Sequence, residues 1–278
     1  MKYQIETFGN SDIGNVRTNN EDRFLILKTK DQETVLLVAD GMGGHSAGEI
    51  ASGHMVEIFE TYLSEKSLLE STWNQKTDAA EKSFVCKKEF LLQIIQKGNN
   101  RIYHHALDED GKKGMGTTLT LAIICENKLL IGQVGDSRAY LIRRGKISRL
   151  TKDHSIVQRE IDQGLLTEEE ALHDPRKNVI TKAVGILPEV EPDFYEYTLE
   201  HKDRIMLCSD GLYDLVMEKD LLYLTNSGTL EQAVNRLIQK AKQFGGKDNI
   251  TVVIAQVKQE IPEKKPFFPF FKKKETKK

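Results

Sequence analysis

Cysteine and tryptophan are scarce in this chain, with three Cys and one Trp among 278 residues. The cysteines (Cys86, Cys125, Cys208) are odd in number, widely spaced and set in apolar stretches. That excludes a disulfide framework or a zinc knuckle and reads as buried thiols of a reducing compartment. No apolar run reaches the length of a membrane-spanning helix, and the opening MKYQIETFGNSD lacks the apolar stretch of a secretory signal. The expectation is a cytoplasmic protein. An excess of one charge is missing too. A formal net charge of −2 gives no general attraction to nucleic acid, so no nucleic-acid partner is expected. The nucleotide loops G-x-x-x-x-G-K-[ST] and G-x-G-x-x-G are absent. Asp40-Gly-Met-Gly-Gly-His45 and the stretch Gly111–Thr117 both fail these templates. Neither H-E-x-x-H nor G-x-S-x-G occurs, which removes a zinc protease and a serine-nucleophile elbow.

What is present is ordinary globular material, 39% hydrophobic and 29% charged, enough to bury a full core. Tyr3 to Phe8 alternates weakly, and Arg23–Leu27 and Val35–Ala39 are short apolar runs that suit strands. Ala47, Ile50, Ala51, Met55, Ile58, Phe59 and Tyr62 recur at helical spacing. Leu91, Ile94, Ile95, Ile102 and Ala106 mark a second helix, with a polar loop expected between the two. Strands are expected again at Thr118–Cys125, Leu129–Val134, Ala139–Ile142, Ile147–Leu150, Arg204–Cys208 and Ile250–Val257. A late helix runs from Leu230 to Phe244. Residues 152–193 are charged and irregular and read as a mobile insertion apart from the core, with helical stretches at best. Consecutive strands at short spacing favour antiparallel pairing, because parallel neighbours need long crossovers. With helices gathered in the blocks 46–107 and 212–244, the expected fold class is α+β, sheets inside and helices outside.

Five carboxylates share one context. Asp40, Asp136 and Asp210 end apolar strands, Asp248 immediately precedes one, and Asp22 stands at the mouth of Arg23–Leu27. A carboxylate abutting a buried strand is costly unless paired or metal-bound. Several at one sheet edge repel, which raises their pKa values unless cations neutralise them. Hard oxygen ligands without a Cys or His cluster select Mg²⁺ or Mn²⁺ over zinc. Glycine after Asp40 lets backbone approach closely, so the Gly41 carbonyl is a further candidate ligand. Asp-Gly is also a common turn signal, and any one of these acids alone reads more readily as a turn residue. For Asp136 the turn reading includes a local pair with Arg138. Five acids in one consistent context favour the metal.

The motifs Arg17-Thr-Asn-Asn-Glu21-Asp22, Val38-Ala-Asp40-Gly-Met-Gly-Gly-His45, Gly116-Thr-Thr118, Val134-Gly-Asp136-Ser-Arg138, Cys208-Ser-Asp210-Gly211 and Lys247-Asp248-Asn249-Ile-Thr251 closely resemble those of the metal-dependent type 2C (PPM) protein serine/threonine phosphatases. Each is weak alone. In family order over residues 17–251 they are specific, and the Met-Gly-Gly form resembles bacterial members. The resemblance implies a four-layer α-β-β-α sandwich, two central antiparallel sheets flanked by helices, over a catalytic domain of residues 1–258. It implies two Mn²⁺ or Mg²⁺ ions, with Asp40 bridging them, Gly41 offering its carbonyl to one, and Asp210 and Asp248 ligating the other. Glu21 and Asp22 would hold metal-bound waters, Arg17 would clamp the substrate phosphate, and Asp136 resembles the ligand of a third, weaker ion. Residues 152–193 match the family's flap. One position departs: Met42 stands where eukaryotic members carry the presumed general-acid histidine. His45 comes later and remains open between acid, substrate-facing and structural roles. His54, His104, His105, His154, His173 and His201 read as surface or capping residues.

The implied activity is hydrolysis of phosphoserine and phosphothreonine monoesters by water activated between two metals, with no phosphoenzyme. Phosphorylated proteins would be the partners, a bacterial Ser/Thr kinase among them, and the chain would act as a monomer. Competing readings are a dimetal hydrolase of small phosphate esters and a non-catalytic pseudophosphatase binding module. The latter normally goes with lost ligands, and here every metal-type acid is present. Residues 259–278 form a tail of net charge +4 with Phe267, Phe268, Phe270 and Phe271, leaving −6 on the rest. Its composition fits a flexible solubilising tail or weak contact with an anionic membrane surface.

Overall fold

The computed structural model describes residues 3–30, 32–44, 47–64, 80–108 and 114–259, for 80–86 the backbone only. Two antiparallel sheets form the centre. One runs in the order β1 (Tyr3–Asp12), β11 (Ile250–Gln259), β10 (Arg204–Cys208), β7 (Arg138–Arg143), β8 (Lys146–Arg149). The other runs β2 (Asp22–Lys28), β3 (Thr34–Met42), β5 (Leu119–Cys125), β6 (Lys128–Val134), β9 (Asp193–Thr198), with the short β4 (Gly116–Thr117) paired to the end of β3.

The period of two along each strand decides the layering. In β3, Val35, Leu37 and Ala39 face α1 (Ala47–Ser64) and α2 (Ala80–Asp108), whereas Leu36 and Val38 face the opposite sheet. In β11, Ile250, Val252 and Ile254 pack under α7 (Leu230–Gln243), whereas Val253, Ala255 and Val257 enter the space between the sheets. Both faces are covered, so these antiparallel strands read as unbroken apolar runs. The four-layer α-β-β-α arrangement is the observed one.

α7 shows how the outer layer is encoded. Leu230, Ala233, Val234, Leu237, Ile238 and Ala241 are buried on one stripe. Thr229 caps the start, its hydroxyl accepting from the Gln232 amide while the Gln232 side chain accepts from the Thr229 amide. Leu237 is fully buried, and truncation to Ala would cost about 2–5 kcal/mol.

The segment 152–193 differs from its sequence reading. It holds α3 (Ile156–Asp162) and α4 (Glu168–His173), the helical stretches its sequence allowed, which stand outside the two helical blocks. It is also tied to the core. Bridges join Ser155 to Ile180 and Thr117 to Val184, and Val184 is fully buried. Asn99 of α2 accepts from the Gly185 amide and donates to the carbonyls of Leu187 and Pro188. Strand β9 was not anticipated. Its aromatics point to both faces, Phe194 toward the helices and Tyr195 and Tyr197 toward the other sheet, so no one-sided apolar pattern marks it. The short helices α5 (Asp210–Tyr213) and α6 (Glu218–Thr225) precede α7. Cys208 is buried as expected. Cys125 is half-buried beside the Lys87–Glu33 ion pair, a polar and not an apolar setting, and the Cys86 side chain lies outside the described residues. The polar stretch 65–79 and the tail from 260 onward also lie outside them.

Candidate active site

Asp22 and Asp40 occupy matched positions on β2 and β3, opposite each other across the ladder. Two like charges in that position destabilise a sheet. Asp22 is almost fully buried. One of its oxygens, Oδ2, accepts from Ser209 Oγ and Thr251 Oγ1, each at 2.7 Å. Those two residues belong to the other sheet, at the end of β10 and the start of β11, so this carboxylate bolts the sheets together at the site. Its second oxygen, Oδ1, is buried and, among the described residues, has no hydrogen-bond donor. Burial, against the help of the two hydroxyls, pushes the Asp22 carboxyl up to about 6.

The other acids arrive on different elements. Asp40 ends the apolar stretch of β3. Its amide donates to Thr118 Oγ1 at 3.0 Å, and its carbonyl accepts from the Thr118 amide at 2.8 Å and the Thr117 hydroxyl at 3.0 Å. Asp210 opens α5 straight after β10, and Asp248 stands before β11. Burial first, then neighbouring carboxylates, holds Asp40 and Asp210 well above the usual carboxylate range. Asp40 is raised by Asp22, Asp210, Asp136 and Asp248, and Asp210 by Asp136, Asp248, Asp214 and Asp22. Asp22, Asp136, Asp210 and Asp248 thus all lie near enough to Asp40 for their charges to raise it.

The backbone there is packed too tightly for any residue but glycine. A Cβ on Gly41 would lie 2.1 Å from the Gly48 carbonyl oxygen and 2.6 Å from that of Glu21. A Cβ on Gly211 would lie 2.0 Å from the Asn249 carbonyl oxygen. Gly48 opens α1 and sits against the Glu21 carboxylate, which thus lies beside the Gly41 corner. Asn249 holds the loop before β2 in place. Its Oδ1 accepts from the Glu21 amide, and its Nδ2 donates to the carbonyls of Ile13 and Asn19.

Arg17 is half-exposed, and its Nη2 donates to Asp248 Oδ2 at 2.8 Å. That contact is the main cause of its raised pKa. The residue expected to clamp phosphate is therefore paired with one of the acids. Asp136 is buried in the turn between β6 and β7, and burial followed by the Asp153 charge pushes its carboxyl up to about 7. The local Asp136–Arg138 pair is not formed. Arg138 instead grips Asp153 through Nε and Nη2, the shortest contact being 2.6 Å. His45 lies outside the described residues. His154 is partly buried, with its side chain 9% exposed, and braces the Asp136 turn, a role apart from the surface or capping reading of its sequence position. An open cleft of about 460 Å³ on α2, lined by Asn100, Arg101, His104, His105 and Asp108, contains none of these acids.

The corner fits hard divalent cations. It offers oxygen donors only, a buried carboxylate oxygen without a donor, and raised carboxylate pKa values that positive charge would relieve. Among the described residues no three such groups already close on a single point, so the corner is acid-lined but not a preformed cage. Sequence reasoning missed Ser209, Thr251, Thr118 and Asn249 as site residues, although all four lie inside its motifs. Ser209, Asn249 and Thr251 stand within three residues of an acid in the sequence, which was the available signal, whereas Thr118 meets Asp40 only through the fold.

Comparison with known proteins agrees with this geometry. The family model described as protein phosphatase 2C matches residues 9–251. The serine/threonine phosphatase stp of Listeria innocua is 36% identical over 247 residues, covering 88% of this chain and 93% of that protein. The structure of the Streptococcus agalactiae serine/threonine phosphatase aligns with a TM-score of 0.81 at 36% identity, over 91% of this chain and 99% of that one. The catalytic domain of the phosphatase PstP in complex with two manganese ions aligns with a TM-score of 0.76 at 33% identity, over 92% and 100%.

Proposed function

The chain belongs to the protein phosphatase 2C family, and with that as premise we propose how its residues divide the work of a metal-dependent serine/threonine protein phosphatase. Its cofactor is Mn²⁺ or Mg²⁺ and its substrates are phosphorylated proteins. Two ions would be held by Asp40, the Gly41 carbonyl, Asp210 and Asp248. Glu21 and Asp22 would accept hydrogen bonds from ordered water, and Asp136 would serve a third, weaker ion. When bound, such ions acidify water near neutral pH and offset charge on a phosphoryl group.

The chain's own residues do the rest. Asp22, tied by Ser209 and Thr251, fixes one acid across the sheet gap and leaves Oδ1 to orient a water. Asn249 sets the height of the Glu21–Asp22 step. Arg17 reaches the rim of the corner, where its planar fork suits two phosphoryl oxygens. The observation that carries this reading is the convergence of five strand-end acids from both sheets, with Asp22 Oδ1 left without a donor.

The test is hydrolysis of phosphothreonine and phosphoserine peptides with rising Mn²⁺. Turnover that requires the metal and stops on chelation is expected. Turnover confined to para-nitrophenyl phosphate or a cyclic nucleotide would replace the protein-phosphatase reading with that of a small-ester hydrolase. A Ser/Thr kinase among the substrates and a monomeric state belong to the same proposal. So does weak contact of the 259–278 tail with anionic membranes, each basic residue contributing about 1 kcal/mol near such a surface. A chain cut after Lys258 should keep its turnover and lose co-sedimentation with anionic liposomes. Liposomes that never pellet the full chain would remove the membrane contact.

A further inference from the structure

The turn that carries Asp136 is gripped on both sides by two consecutive residues of the 152–193 segment. On the near side, the His154 amide donates to the Gly135 carbonyl at 2.9 Å, and the Gly135 amide donates to His154 Nδ1 at 3.1 Å. On the far side, Asp153 takes the Arg138 guanidinium in a bidentate pair. Both gripping residues are buried or nearly so, with side-chain exposures of 7% for Asp153 and 9% for His154. Acceptance at Nδ1 puts the ring proton on Nε2, which stands 3.3 Å from Asp193 Oδ2 at the start of β9.

The same guanidinium lies over the Tyr213 ring, 3.6 Å from its centre, and the Tyr213 hydroxyl donates to the Asp136 carbonyl at 3.1 Å. Tyr213 ends α5, the helix that Asp210 opens. Below the turn, Gln133 Nε2 donates to the carbonyls of Gly135 and Ser137. The glycine has φ +98° and a Cβ there would strike Thr118, so only glycine fits the turn. Every one of these contacts goes to backbone or to Arg138. Among the described residues no other residue donates to the Asp136 carboxylate, which has only its own backbone amide beside it, so the turn is held while that group stays available.

We infer that Asp153 and His154 are positioning residues, which set the Asp136 carboxylate against Asp210 and tie its placement to the root of the 152–193 segment. The effect on turnover rests on the reading of Asp136 as a metal ligand. The placement itself does not. A bidentate ion pair and a two-point backbone grip resist rotation of the Gly135–Asp136 peptide, and a misplacement of about 1 Å in such a site costs up to roughly a hundredfold in rate.

The test compares two amides at position 154. Asn places its side-chain oxygen where histidine has Nδ1, whereas Gln carries it one bond further, so His154→Asn keeps the acceptor for the Gly135 amide and His154→Gln loses it. In metal-free protein, amide hydrogen exchange at residues 135–137 should be near wild type in His154→Asn and faster in His154→Gln. In Mn²⁺-loaded enzyme acting on para-nitrophenyl phosphate, kcat should fall about tenfold in His154→Gln, with KM little changed and most activity kept by His154→Asn. Asp153→Asn, which weakens the grip on Arg138, should behave like His154→Gln. Equal exchange in the two His154 variants, or equal kcat, would overturn the inference. Asp136→Ala serves as the reference. Should it keep the wild-type Mn²⁺ activation curve, Asp136 is no ligand, and the exchange result still decides the positioning role.

Discussion

Asp22 and Asp40 face each other as register partners on adjacent strands, and among the described residues only one of their oxygens, Asp22 Oδ2, has hydroxyl donors. A sheet would not retain this pairing for stability. It costs free energy in the absence of positive charge, and the cost is set by pH.

The pH dependence follows from the sign of the shifts. Asp22 and Asp136 ionise near 6 and 7 in the folded chain against an ordinary 3.8. The folded state therefore holds protons that the unfolded state has released, and metal-free stability falls as pH rises from about 4 through 7. Asp136→Asn removes one such group. Its melting temperature, relative to wild type without metal, should climb across that window and level off above it. A constant difference from pH 4 to 8 would show that Asp136 is not raised.

Arg17 and Asp248 are bonded to each other, so each variant has two readouts. Arg17→Ala should raise KM for a phosphopeptide and lower kcat/KM by about ten- to a hundredfold, the range for losing one or two charged hydrogen bonds. Arg17→Lys should recover only part, since an ammonium lacks the fork. The Ala variant also frees Asp248, so calorimetry without substrate should show Mn²⁺ bound at least as tightly as in wild type. Wild-type kinetics in both variants would move the phosphate role elsewhere.

Asp210→Asn and Asp248→Asn should each lower Mn²⁺ affinity and cut turnover by orders of magnitude, while circular dichroism stays native. Asp210 is the more buried and is held well above the normal range, so its Asn variant should also melt higher than wild type without metal at pH 8. Unchanged turnover in either would sink the ligand assignment.

Asn249→Ala tests the brace under the Glu21–Asp22 step. Three hydrogen bonds are lost at a residue that is 4% exposed, for a destabilisation of about 2–4 kcal/mol. Because the freed loop carries Glu21 and leads to Asp22, kcat should fall as well. Denaturant melts alongside kinetics measure both, and a loss of stability with full kcat would make Asn249 a purely structural residue.

Gly41→Ala should be more damaging than its size implies. The new methyl meets backbone at the Gly48 and Glu21 carbonyls, which cannot rotate away as a side chain would. We expect a loss at the upper end of about 1–3 kcal/mol and abolished turnover. A variant as active and stable as wild type would mean that the corner opens more readily than its packing indicates.

The strands, the two long helices and the five acids were legible in the sequence because each is a local pattern. A period of two or 3.6 and an abrupt Asp-Gly after an apolar run are written within ten or twenty residues. The order of the motifs then identified the family and its layered fold. Other features were decided only by tertiary structure. β9 carries aromatics on both faces and becomes a strand because β6 offers it an edge. Asp22 meets its hydroxyl donors across separations of 187 and 229 residues. Arg138 has Asp136 two positions away, yet it pairs with Asp153, because the turn aims the guanidinium over Tyr213 toward the root of the 152–193 segment. Local patterns report which faces must be buried. Which polar groups satisfy one another depends on how the two sheets stack, and that is fixed by the shape of the whole core.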